Sequence, residues 1–363
     1  MGEREPSVGQ ASSSVSLEKI ETPAAVVDAD RLERNLARWQ EHCDRHGLAN
    51  RPHVKTHRST AIARRQLELG AVGLTCQKLS EAKTMADAGC EDILVPFNIV
   101  GPPKLERLQA LLARIRLTVS VDDPALLPGL ANAAAAAGRE LGVLVDCDTG
   151  LGRTGVRRPE AAADLAAAVA GHEGLRFDGF LTYPAPEMAR PFLAAAVDGA
   201  RRRGLEPVTV SAGGTPTMWE SGTLRPTVTE YRVGTYAFHD RATVAAGAAT
   251  LDDVALTVHA TVVSRPAPDR AILDAGSKAL TSDPGPAPGF GLVLEAPRSP
   301  IVKLSEEHAF VDLAPEDELE LGQRVRVVPN HACVVVNLFD ELAVTAERGP
   351  ATTWRVDARG RSQ

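Results

Sequence analysis

DILVPFNIVGPPKLERLQALLARIRLTVSV, residues 92–121, decides how the fold is read. A β-branched run at Asp92–Pro96 gives way to a helical pattern over Pro103–Ala113, and a second such run follows at Leu117–Val121. The same alternation extends in both directions. Strand-like runs fall at Arg51–Val54, Val72–Cys76, Gly142–Asp146, Gly179–Tyr183, Val208–Ser211 and Tyr231–Gly234. Helical patterns separate them, as at Thr60–Glu68, Ser80–Ala88 and Pro159–Ala170. Eight β/α units over roughly 190 residues predict a closed (β/α)8 TIM-type barrel, with an open doubly wound sheet as the competing arrangement.

Outside this block the texture changes. Residues 1–18, rich in Ser, Glu and Gly, read as a disordered lead. A strand is expected at Ala24–Val27, then a helix whose Asp30 and Glu33 form a capping box and whose Leu32, Leu36, Trp39 and Cys43 make one buried stripe. Beyond about residue 245 the helical pattern stops. Val254–Val263, Arg270–Asp274, Gly291–Leu294, Ala309–Asp312, Arg324–Val328 and Val334–Leu338 read as strands of a second, all-β domain. The expected division is a barrel at 22–245 and a β domain at 246–363, which the strand near 19–27 can join.

Composition narrows the function. A net charge of −7 with both signs interspersed argues against a nucleic-acid surface. No apolar run approaches the ~20 residues of a membrane span. The polar N-terminus lacks the apolar core of a secretory signal, so a cytoplasmic enzyme is expected. Cys43, Cys76, Cys90 and Cys147 sit in apolar stretches and read as small core residues rather than as a disulfide framework.

In a barrel the chemistry lies where strands end. Lys55 follows the first strand, Asp148–Gly155 the fifth, Tyr183 the sixth, Ser211–Thr217 the seventh and Gly234-Thr235-Tyr236 the eighth. Gly213 and Gly214 let backbone N–H groups approach an anion, and Thr215 adds a hydroxyl just before an expected helix start. A lone lysine after a strand is more often a solvated charge. Its company at the other strand ends is what raises Lys55 above that reading.

The run Pro52-His53-Val54-Lys55-Thr56-His57 resembles the cofactor-lysine segment of the D-serine dehydratase and D-threonine aldolase family, which shares the fold-type III architecture of alanine racemase. Asp148–Gly155 is similar to that family's Asp-Thr-Gly-x-x-Arg-x-Gly stretch. Val95–Asn98, Ser211–Thr217, Tyr231–Tyr236, Asp274–Leu280, Ser305–His308 and Pro329–Cys333 extend the likeness from about residue 20 to residue 345. The resemblance implies that Lys55 bonds pyridoxal 5'-phosphate, with Arg153 near the ring's phenolic oxygen and Tyr183 near its nitrogen. It implies that Gly213, Gly214, Thr215, Gly234, Thr235 and Tyr236 hold the phosphate. A Tyr or Arg at the ring nitrogen leaves it largely unprotonated.

His331 and Cys333, two apart in a run read as a strand, are expected to share one face. Taken alone, His-x-Cys next to three valines is more often core. The resemblance makes the pair a metal site. Imidazole with thiolate favours Zn2+; the family's aldolases typically carry Asp in place of Cys333, which suits Mn2+ or Mg2+. The implied reaction is β-elimination of a β-hydroxy D-amino acid such as D-serine, giving a 2-oxo acid and ammonia, with amine and ion acting on one substrate. The alternatives are retro-aldol cleavage of D-threonine or 3-hydroxy-D-aspartate, and a non-catalytic pyridoxal-phosphate carrier, against which the long segment after the barrel argues. A racemase needs a second base, typically a Tyr from the C-terminal domain, and no Tyr follows Tyr236. A head-to-tail homodimer is implied, with the metal pair serving either its own or the neighbouring cofactor. His53, His57, His239, Asp240 and His308 are left between structural and site roles.

Overall fold

The computed structural model describes residues 20–346 and 351–363; the lead at 1–18 lies outside the described residues. The chain divides into two compact units. One comprises Leu36–Lys55, Ala63–Gly234 and Gly360–Gln363; the other takes the residues up to Asn35, Thr56–Ile62 and Thr235–Arg359.

The strands in chain order are β1 (Ala24–Asp28), β2 (Ala49–Asn50), β3 (Leu74–Thr75), β4 (Asp92–Val95), β5 (Arg116–Val121), β6 (Leu141–Cys147), β7 (Leu175–Thr182), β8 (Thr209–Gly213) and β9 (Glu230–Arg232). They continue as β10 (Leu256–Ala267), β11 (Arg270–Leu273), β12 (Leu292–Val293), β13 (Ile301–Leu304), β14 (Ala309–Asp312), β15 (Arg324–Val328), β16 (Glu341–Thr345) and β17 (Thr352–Arg355).

In the first unit β2 to β9 form one parallel sheet in the order β2-β9-β8-β7-β6-β5-β4-β3. The sheet closes. Just past β2 the backbone bridges to β3 at His53 and Thr75, with Thr75 N–H on Pro52 O at 2.8 Å and Val54 N–H on Thr75 O at 2.9 Å. Closure rather than an open edge confirms the TIM-type barrel. The central strands are buried along nearly their whole length, which is why β6 reads as a continuous apolar run instead of alternating. Leu94, Leu144 and Leu181 pack together inside. Gly179, in β7, has φ +140 and an added Cβ there would meet the Thr209 carbonyl, so only glycine fits where β7 irregularly pairs with β6.

The first strand differs from its expected span. Only Ala49–Asn50 is regular ladder, and Arg51–Val54 continues as a bridge. Pro52 has no N–H to give toward β3, while Arg51 and His53 still donate to the Tyr231 and Val233 carbonyls at 3.1 and 2.7 Å. The Arg51 guanidinium also ties the strands together, donating to Glu230 of β9 and Asp92 of β4 at 2.6 Å each. Burial opposes its charge, and the two carboxylates outweigh that and hold it cationic.

The second unit is a nine-stranded, mainly antiparallel sheet ordered β13-β14-β11-β10-β1-β16-β17, with β15 on β10 and β12 on β15. β1 joins it, antiparallel to β10 and parallel to β16. The alternating burial of β10 is the half-buried pattern that its sequence predicts. One expected strand is not a strand: Ala332–Leu338 is an α-helix. Its β-branched valines suggested extended chain, but Ala332, Val335 and Val336 are buried at helical spacing, and tertiary packing overrides the propensity.

Within this sheet His259 stands opposite Arg326 of β15. Burial pushes its pKa down to about 4, with Arg324 and Arg326 adding to the effect. A histidine that resists protonation when folded but accepts it near pH 6.5 when unfolded stabilises the fold fully above that pH. Its contribution is lost as pH falls from about 6.5 toward about 4. The expected loss is about 3 kcal/mol at most. Denaturant titrations of wild type and His259→Gln should diverge across that window and run parallel above it.

Candidate active site

Lys55 lies two residues past the bridge that closes the barrel. Its N–H approaches His53 Nδ1 at 3.3 Å, and His53 Nε2 pairs with Gln77 Oε1 at 3.0 Å. Its amine stands 5.7 Å from the centre of the Tyr183 ring. The Arg153 guanidinium reaches the same ring at 5.3 Å. Tyr183 follows β7 and is 38% exposed, unusual for an aromatic at a strand end facing two cationic side chains. An added Cβ at Gly214 would come within 3.9 Å of that ring, so a bare backbone lines its edge. Amine, guanidinium, phenol ring and glycine backbone thus converge at the C-terminal ends of β2, β6, β7 and β8.

The Asp148–Gly155 loop shows why its residue types recur at that spacing. The Asp148 carboxylate accepts the N–H groups of Gly150 and Gly152 at 3.0 Å each, and these hold it below the usual carboxylate range, Gly152 first. Gly155, at φ +108, would place a Cβ 2.5 Å from Asp148 N, so it must be glycine. Its N–H goes to Asp122, which Asn98 also holds. The Thr149 and Thr182 hydroxyls pair at 2.7 Å. The loop is therefore rigid at both ends, and Arg153 projects from its middle.

In the Ser211–Thr217 loop, Gly213 ends β8, where a Cβ would strike the Arg232 carbonyl. The Gly214 N–H is taken by that same carbonyl at 3.2 Å. Anion binding by this loop would rest on Thr215 and the turn that leads into the 3-10 helix Met218–Leu224. Arg232, which the sequence reading did not single out, supports the strand ends that carry these loops. It is only 6% exposed, donating to Ser211 Oγ at 2.8 Å and Thr182 O at 2.7 Å. Burial pulls its pKa down, opposed by Glu230 and Asp146. Gly234 closes this unit's share of the site residues.

The other unit holds Thr235, Tyr236, His331 and Cys333. His331 is the N-cap of helix Ala332–Leu338 and Cys333 lies in its first turn. They come together by a helix start rather than by strand alternation, which corrects the reason given from sequence. Asp240, 1% exposed, fixes that start by accepting the Ala332 N–H at 3.0 Å. His331 hydrogen-bonds to Cys333, and its Nδ1 lies 2.8 Å from Asp283 Oδ2. The Cys333 contact, with Asp283 and Asp240, raises its pKa to about 9 against burial. The same negative field suits a dication. The Thr56 and Thr235 hydroxyls face the Cys333 sulfur at 3.1 and 3.7 Å. Thr56 follows Lys55 in the chain, and Thr235 follows Gly234.

Among the described residues no cluster of three or more His, Cys, Asp or Glu is placed to hold a metal, so an ion here keeps open positions. A soft sulfur beside an imidazole fits zinc. The segments 274–280 and 305–308 also meet: Ser277 N–H and Lys278 N–H reach the carbonyls of Ser305 and Glu306, and Gly276 has no room for a side chain there. His308 itself is exposed. No described helix is long and apolar enough to cross a membrane.

The family model "Alanine racemase, N-terminal domain" matches residues 27–242, and "Putative serine dehydratase domain" matches 255–345. A D-threonine aldolase of Arthrobacter sp is 35% identical over 96% of this chain and 95% of its own. The chain belongs to the D-serine dehydratase and D-threonine aldolase family. Solved members of the family superpose closely on it. The D-threonine aldolase from Filomicrobium marinum has TM-score 0.87 at 34% identity, over 96% of this chain and 99% of that one. A D-threo-3-hydroxyaspartate dehydratase with a cysteine replaced by alanine, in the metal-free form, has TM-score 0.86 at 31% identity, over 94% and 98%. The family's full-length relatives include both aldolases and dehydratases, so the chain is an enzyme of the lyase kind.

Proposed function

We propose that this protein is a pyridoxal-phosphate- and zinc-dependent dehydratase of a β-hydroxy D-amino acid, releasing a 2-oxo acid and ammonia. The observation that carries the reading is His331 as N-cap and Cys333 in the first turn of one short helix, an imidazole and a sulfur suited to zinc. The metal-free form of the relative in which a cysteine was replaced supports it.

Bound pyridoxal phosphate supplies an electron sink at Cα, and zinc supplies a Lewis acid for the departing β-hydroxyl. This chain's residues do the rest. Lys55 would hold the cofactor, and its amine would carry the α-proton. The Tyr183 ring and the Arg153 guanidinium fix the site around that amine. Arg232, buried in the barrel, ties the ends of β7, β8 and β9 together through Thr182 O and Ser211 Oγ. Thr215 and Gly234, with Gly213 and Gly214 shaping their turns, and Thr235 and Tyr236 of the other unit are the residues that would take the phosphate. His331 and Cys333 hold the ion.

Retro-aldol cleavage is the second reading, favoured by the 35% identity to a D-threonine aldolase. Incubation with D-serine, D-threonine and 3-hydroxy-D-aspartate separates the two. Elimination from D-serine yields pyruvate and ammonia, whereas cleavage of D-threonine yields glycine and acetaldehyde. Loss of turnover with a chelator, while the yellow cofactor stays bound, is expected. Undiminished turnover in chelator would refute the metal's part.

A further inference from the structure

Forty-eight residues before His331, a Pro/Gly-rich loop places one carboxylate on the far nitrogen of that imidazole. We propose that Asp283 is the positioning residue of the metal site: its carboxylate accepts the Nδ1 proton of His331, fixing the tautomer and ring direction that leave Nε2 to the ion. The proposal rests on the reading of His331 and Cys333 as metal ligands.

The arrangement around Asp283 is built. The loop from Asp283 to Gly289 is clamped by Asn330, the residue before His331. Asn330 Nδ2 donates to the Asp283 and Gly289 carbonyls at 3.2 and 2.9 Å. Asn330 Oδ1 in turn accepts from Arg241 Nη1 at 2.7 Å, and Arg241 Nη2 reaches the Pro288 carbonyl at 3.2 Å. Gly285 lies so close to Asn330 that a Cβ there would meet its amide at 2.6 Å. Asn330 is 2% exposed, so the clamp is centred on a buried amide whose oxygen and nitrogen are both bonded. Loop and ligand are thereby locked to the same residue, and the 2.8 Å bond from His331 Nδ1 to Asp283 Oδ2 follows from that.

A carboxylate on the second nitrogen does three things to a ligand imidazole. It selects the tautomer with the proton on Nδ1, it stops the ring from swivelling, and it raises the electron density at Nε2. Each strengthens metal binding without a further ligand. Asp283 is not itself a ligand, since no third acid, histidine or cysteine completes a cluster with the pair among the described residues.

Zinc affinity of the cofactor-loaded protein, measured by competition with a chromophoric chelator, tests this. Asp283→Ala should weaken zinc by about 10- to 100-fold, while the cofactor's absorbance and the melting temperature of the metal-free protein stay put. Asp283→Asn, whose amide oxygen still accepts from Nδ1, should recover part of that loss. With cobalt in place of zinc, Asp283→Ala should need more metal to reach the same thiolate charge-transfer band. Zinc affinity within about twofold of wild type in both variants overturns the proposal. So does a loss in Asp283→Ala that Asp283→Asn does not relieve. Should Asp283→Ala fail to fold, an unchanged zinc affinity in Asp283→Asn together with Asp283→Glu overturns it. Wild-type protein that binds no zinc at all sinks the metal reading itself, and this inference with it.

Discussion

Lys55→Ala is expected to lower turnover of the preferred D-amino acid by about 10⁴-fold or more, and to remove the absorption of a covalently tethered cofactor. The effect is large because one amine has two duties, tether and proton carrier, and alanine can perform neither. Lys55→Arg sharpens the test. Arginine keeps the charge and most of the length, and it can still lie over the Tyr183 ring, but its guanidinium neither loses a proton nor forms the bond to the cofactor. It should be as inactive as alanine. Reading kcat beside the absorption spectrum separates loss of the tether from loss of the proton carrier. Turnover within about tenfold of wild type in either variant would exclude Lys55 from the chemistry.

The second large effect is expected at the metal pair. Cys333→Asp replaces a soft sulfur by a hard oxygen in the first turn of helix Ala332–Leu338, leaving His331, Asp240 and the helix start in place. Zinc-supported elimination should fall by about 100-fold or more, since on the proposed reading Cys333 would supply one of the two protein ligands. Manganese should then support more activity than zinc, reversing the wild-type order. The family resemblance, in which aldolases carry Asp at this position, makes glycine and aldehyde the products to look for. Metal-reconstitution assays on both proteins, with D-serine and D-threonine, give the answer. An unaltered order of metals would show that Cys333 is not a ligand. Because Cys333 is only half-buried, the substitution removes little packing, so a change in metal order is not explained by a damaged fold.

The cofactor end of the site was legible because its demands are local. A glycine with φ of +108 or +135, a carboxylate that caps its own loop, and a lysine just past a strand run leave fixed residue types at fixed spacings. Arg232 was not legible. In Tyr231-Arg232-Val233-Gly234 a buried arginine looks like the outward residue of an alternating strand, and only the strand order shows Thr182 and Ser211 waiting inside to accept its protons. Helix Ala332–Leu338 was misread for a related reason. Three consecutive valines favour extended chain when nothing else is known, and the groups that overrule them, chiefly Asp240 at the helix start, lie some ninety residues away.

Sequence by itself determined the β/α alternation, the barrel, the β-rich second unit and the identity of the chemical groups, because each is written in periodicity or in short-range turn geometry. Tertiary structure alone decided that the barrel closes through a bridge at His53, that His331 and Cys333 meet on a helix start, and that Asp283 stands behind the imidazole. Those are pairings between distant segments. Their energy depends on what packing brings within hydrogen-bonding reach, a quantity that no local pattern of residues encodes.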